Sequence, residues 1–138
     1  MSEFTDYLEN ELLDHTFGKG ARAWSAPTNL YVALITATTN DASDLKSQLT
    51  EPGTGGYAPA AITFGAATGT SPTTTSNTAA ITFTNTAATA WTVVGIAIVD
   101  GTTASANVLC YDNGMTDATI GQSEKLQFGA GDIDITLD

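Results

Sequence analysis

A chain of 138 residues with 42% hydrophobic content and a mean hydropathy of +0.03 is long enough to bury a core of its own, and one domain is expected over 1–138. Fifteen acids against four bases (Lys19, Arg22, Lys46 and Lys125) give a formal charge of −11, which argues against nucleic acid, since a phosphate backbone needs clustered Lys and Arg. Apolar runs such as 93–99 are too short to span a bilayer, and the opening M-S-E-F-T-D-Y-L-E-N has neither the basic start nor the apolar stretch of a signal peptide, so no membrane partner and no common-route export are expected.

The first element is a helix. Phe4, Leu8 and Leu12 recur at i, i+4 and i+8, Tyr7 and Leu13 widen the stripe, and Glu3, Asp6, Glu9 and Asn10 take the wet face. This predicts an amphipathic helix over 3–16, with Ser2 as N-cap and Gly18 and Gly20 ending it. Residues 1–20 then form a helical arm on a β-sandwich over 28–138.

After Pro27 comes L-Y-V-A-L-I-T-A (30–37), apolar on both parities and so expected in the middle of a sheet. Residues 38–56 turn polar and rich in punctuation, with Leu45 and Leu49 suggesting one helical turn. Two short β patterns follow, A-A-I-T-F at 60–64 and again at 79–83. Their likeness is either a duplicated unit or convergent strand chemistry. A Gly/Ser/Thr/Pro loop is expected between them.

Trp91 to Val99 reads as one central strand, with Val94, Ile96 and Ile98 on one parity and Trp91, Val93 and Val99 on the other. V-L-C-Y-D follows, and residues 113–121 read as a link. At the end, Ile133, Ile135 and Leu137 alternate with Asp132, Asp134 and Thr136, the pattern of a strand with one face on a core. About seven strands with small polar loops and one helix predict a mainly β chain, a jelly-roll-like sandwich.

Signals for chemistry are sparse. His15 is the only histidine and sits beside Asp14 at a helix end, where capping or packing explains it better than a triad or a zinc site. No nucleophile-elbow, phosphate-loop or metalloprotease motif occurs. Asp112, Asn113 and Asp117 lack EF-hand spacing, and Asp132, Asp134 and Asp138 read more simply as charges that discourage edge pairing than as cation ligands. Cys110 lies in an apolar strand and reads as a buried, inert thiol. No catalytic residue, cofactor or metal is expected.

Several segments together resemble a family of small virion proteins of tailed bacteriophages. They are L-E-N-E-L-L-D-H-T-F-G (8–18), L-Y-V-A-L-I-T-A (30–37), G-G-Y-A (55–58), S-N-T-A-A-I-T-F (76–83), V-V-G-I-A-I-V-D (93–100) and L-Q-F-G-A-G-D-I-D-I-T-L-D (126–138). One departure is that G-G-Y-A, often followed by a base in its relatives, continues here as Pro59-Ala60. The resemblance implies a structural protein of the particle, assembled in the host cytoplasm, and no enzyme.

The function expected on this basis is a capsid decoration protein that binds the major capsid protein lattice as a dimer or trimer of itself. A tail or tail-fibre component is the alternative. A carbohydrate-binding module, with Tyr57 or Trp24 as a stacking platform, is a third reading. Phe4, Tyr7, Leu8, Leu12, Leu45, Leu49 and Tyr57 are the expected partner contacts, together with the loops at 38–56 and 65–78.

Overall fold

A computed structural model describes residues 3–18, 25–70 and 72–137. The elements in order are β1 (Glu3–Phe4), α1 (Asp6–Phe17), β2 (Leu30–Ile35), a 3-10 turn (Lys46–Gln48), β3 (Ala60–Ile62), β4 (Thr73–Ser76), β5 (Ile81–Thr84), β6 (Trp91–Val93), β7 (Gly95–Val99), β8 (Val108–Asp112), β9 (Ala118–Ile120), β10 (Lys125–Phe128) and β11 (Asp134–Leu137). Among the described residues the chain is mainly β with one α-helix, as its patterning predicts.

One antiparallel sheet runs β1-β8-β7-β2-β3. Its two inner strands of double apolar parity, β2 and β7, lie side by side, with Val32 opposite Ile98 and Leu34 opposite Ile96. Three two-stranded ribbons, β5–β10, β4–β11 and β6–β9, supply the second layer. The main core joins Val32, Leu34, Ile62, Ile98 and Cys110 of the sheet to Phe83, Trp91, Val93, Ile120 and Ile133 of the ribbon layer. Burial of each such large side chain is worth about 1.5–3 kcal/mol.

The opposite face of the sheet is narrower. Ala33 pairs with Ala97 at its centre, and Ile35, Val99, Val108 and Tyr111 surround them under Leu49. Between Ile98 and Val99 the register slips, and Leu109 is the extra residue of β8 that turns to the main core.

The structure corrects the expected boundaries at four places. Glu3 and Phe4 are strand, paired with Tyr111 and Cys110, so the helix starts at Asp6 with Thr5 as its cap. Ser2 and Gly20 lie outside the described residues, while Gly18 does close the helix, its N–H on the Asp14 carbonyl at 3.0 Å. Trp91–Val99 is two strands, because the chain changes layer at Val94, whose N–H goes to the Ile35 carbonyl at 2.9 Å. Gly95 makes that crossing possible, since a Cβ there would lie 2.1 Å from the Asp112 carbonyl oxygen. Lastly, β4 falls inside the expected 65–78 loop and β9 inside the expected 113–121 link.

The two A-A-I-T-F copies serve different sheets with the same parity. Ile62 of the first pairs with Leu30, and Ile81 and Phe83 of the second pair with Phe128 and Leu126. The inward Ile and Phe of each copy pack on the main core.

Candidate interaction surface

The start of α1 is stitched to the domain. The Thr5 hydroxyl donates to the Val108 carbonyl and accepts from the Leu8 N–H, and the Thr5 N–H donates to the Leu109 carbonyl at 3.1 Å. The Asp6 N–H finds the Asp41 carbonyl at 2.9 Å, and the Tyr7 N–H finds the Asp44 carboxylate at 2.8 Å. These bonds satisfy amides that a helix start leaves without partners, and an anion there suits the helix dipole. Phe4, Tyr7 and Leu8 pack against the main core, so the helix docks on its own sheet.

The far half of the helix differs. Leu12 is half-buried, whereas Leu13 is 57% and Phe17 71% exposed. They stand at i and i+4, one above the other on one face. The sequence places Leu13 with the inward stripe, but it stands one turn beyond Glu9 and Asn10, so with Tyr7 and Leu8 turned to the core it lies on the wet face, which becomes partly apolar.

The 38–56 connection is bound mainly to its own chain. The Lys46 and Ser47 N–H groups donate to the Ala106 and Ala104 carbonyls, the Val108 N–H donates to the Asp44 carbonyl, and Thr39 and Asn113 exchange two bonds. Leu49 is buried beneath the sheet, and Leu45 stays 39% exposed.

Tyr57 belongs to an interior knot. Its ring stacks on Phe83 at 6.1 Å and meets Trp91 edge-on at 5.7 Å. Its hydroxyl donates to Glu51 at 2.7 Å and accepts from the Leu34 N–H at 2.9 Å, a β2 donor that lies beyond the last β3 pairing at Val32–Ala60. Lys46 completes the chain with a salt bridge to Glu51. Burial and then the Glu51 contact push the Tyr57 phenol far above its ordinary pKa. The ring is therefore engaged internally and not set out as a platform for a sugar. Trp91 is buried with its indole N–H on the Thr54 carbonyl, and Trp24 lies outside the described residues.

Two buried asparagines, missed by hydrophobic patterning, brace the same layer. The Asn85 amide donates to the Thr89 and Ile120 carbonyls and accepts from the Ala87 N–H, all at 2.9 Å. Asn77 donates to the Ala79 and Gly129 carbonyls and accepts from Gly131 and Ile133. Gly55, at φ +78°, sits against Asn85, where a Cβ would come within 2.2 Å of the amide oxygen. The G-G-Y-A segment is thus a packing element. An available signal was the repeat N-T-A-A, at 77–80 and 85–88, which marks both asparagines.

The acidic groups are engaged in turns or across the β4–β11 ribbon. Asp112 accepts from the Gly114 N–H, Asp132 from the Gly129 N–H, and Asp134 from the Ser76 hydroxyl. Among the described residues no group of three or more His, Cys, Asp or Glu is placed to hold a metal ion. Cys110 is buried, and burial raises its thiol pKa to about 12. His15 is exposed on α1 beside Asp14.

Under the β4–β11 ribbon the layers are less filled. A groove of about 120 Å³ runs beside β11 over Ile96 and Ile98, walled by Met115 and Phe128. An apolar hollow of about 310 Å³ lies on the ribbon's other side, between Phe4 and Leu8 of the helical arm and Phe64. Leu137, at the end of β11, is 58% exposed.

Comparison with known proteins gives one family: the sequence model described as Podophage GP4 fiber I protein gp80 matches residues 3–136. No curated protein matches the chain.

Proposed function

This chain belongs to the podophage GP4 fiber I protein gp80 family, a family of phage virion structural proteins, and on that premise we propose that it is a subunit of the tail fibre. The observation that carries the reading is the exposed Leu13–Phe17 pair on a helix whose opposite end is fixed by bonds from Thr5, Asp6 and Tyr7 to Asp41, Asp44, Val108 and Leu109. Because the helix that carries the pair is already anchored, a partner that covers it does not have to order the backbone first, which suits a permanent protein–protein joint. The partner is another virion protein or a further copy of this one, and the chain has no catalytic part.

The fibre reading takes precedence over capsid decoration because the family is described by its fibre. Copy number tests it. Quantitative mass spectrometry of purified particles, calibrated on the major capsid protein, should find few copies per virion. A ratio near that of the capsid lattice would return the protein to a decoration role. Asp14→Asn with His15→Ala should leave particle infectivity intact, and its loss would reopen an enzymatic reading.

A further inference from the structure

The ladder of the β4–β11 ribbon fixes which backbone groups of β11 face outward. Thr74 exchanges two bonds with Thr68 on its far side, at 2.8 and 2.9 Å, and the Ser76 carbonyl accepts from the Gly65 N–H at 3.0 Å. Thr74 and Ser76 therefore occupy the non-hydrogen-bonded positions toward β11. Their register partners, Thr136 and Asp134, must turn their own N–H and C=O away from β4. Among the described residues those groups meet no backbone partner, and β4 alone pairs with β11.

The open edge has the groove beside it. Asp134 and Ile135 line that groove together with Ile96, Ile98, Met115 and Phe128. An added strand would place alternate side chains in the groove and the others toward Asp132 and Asp134, both exposed. The charge selects the occupant. Aspartates on an edge deter pairing with an acidic strand, so the same aspartate-bearing edge of a second copy is a poor occupant. A strand with Lys or Arg between aliphatic residues meets the opposite sign and gains where an acidic one is repelled.

We propose that the free edge of β11 is a β-augmentation site for an extended segment of another protein, aliphatic at alternate positions and basic between them. This site stands independently of the fibre assignment. The test uses the full chain and a fluorescein-labelled heptapeptide, Lys-Ile-Lys-Val-Lys-Ile-Lys, read by polarisation at physiological salt. Binding should be saturable and about tenfold or more tighter than for the same peptide with its central Val replaced by Pro, or with Glu for Lys. Amide exchange at Asp134 and Thr136 should slow in the complex. Thr136→Pro should lose about tenfold or more in affinity, since it removes an outward N–H without touching the β4 ladder, while Thr136→Val should keep it. Equal binding of the proline peptide, or unchanged exchange at the two wild-type amides, would overturn the proposal. So would self-association of the wild type that Thr136→Pro abolishes, because the edge would then belong to a second copy.

Discussion

The ribbon layer is built in two manners. Around Trp91 the interior is filled: Tyr57 takes the space between Phe83 and the indole, Asn85 binds two carbonyls and an amide, and Gly55 lies where no side chain fits, so that the space of about 300 Å³ beside the indole is an open surface pocket among Thr36, Pro52, Thr54 and Thr89. Around Ile135 the same layer is thin, with a groove on one side of the ribbon, a hollow on the other, and Leu137 left open to solvent. The contrast separates two uses of a loop-rich sandwich. Where buried amides and ring contacts tie the turns to the core, the strands have no free edge over apolar space. Where a strand edge and apolar space are left over, the molecule has kept room for something else.

Mutations should divide along that line. The largest effect is expected for Trp91→Ala, which deletes the indole from the main core and should cost about 3–5 kcal/mol, measured by chemical denaturation. Asn85→Ala comes next, at about 2–4 kcal/mol, because it strands two carbonyls and one amide in the interior. Tyr57→Phe keeps the ring but leaves the Leu34 N–H without its acceptor, for about 1–2 kcal/mol. Leu137→Ser, in the open region, should stay within about 0.5 kcal/mol of wild type. A large loss there would mean that the corner is packed as tightly as the knot, and the comparison would fail.

Alkali sharpens it further. Burial, followed by the hydrogen bond to Glu3 at 2.6 Å and nearby acids, pushes the Tyr111 phenol up to about 12, and Tyr57 shifts the same way. The unfolded phenols ionise near pH 10. Both groups' contributions are therefore intact below about pH 10 and are lost as pH rises toward the folded values. Stability measured against pH should fall above about pH 10, and the fall should be shallower in Tyr57→Phe. Ultraviolet titration of the folded protein should show these two phenols ionising well above pH 10.

Much of this was legible in the sequence, and what was not has physical reasons. The double parity of Leu30–Ile35 and Gly95–Val99 does mark the inner strands of the sheet, since side chains bury on both faces there. Ile133 and Ile135 do point inward. The helix start slipped because Phe4 keeps helical spacing to Leu8 whether it is helix or strand, and only Thr5, bonded to residues more than a hundred positions away, decides. β4 is T-T-T-S, which has no apolar residue to alternate. The layer change at Val94 lies inside an unbroken apolar run, so no polarity marks it. Of the expected contact residues, Phe4, Tyr7, Leu8, Leu49 and Tyr57 are drawn into the interior packing, Leu12 is half-buried and Leu45 stays partly exposed, while the most open apolar side chains are Leu13, Phe17 and Leu137, which were not among those expected. Apolar patterning shows that a side chain seeks cover, and not whether its own chain or a partner provides it.

The bonds from Thr5 to Val108 and Leu109 also set an order of events during synthesis. A ribosome adding on the order of 5–20 residues per second leaves the first helical turn waiting roughly 5–20 s for the strand that anchors it. Until then a 12-residue helix is marginal by itself in water. Leu13 and Phe17 are thus set out as a fixed pair only after β8 has emerged and docked, so the newborn chain exposes this apolar pair on an ordered helix late, when the sheet beneath it is already complete.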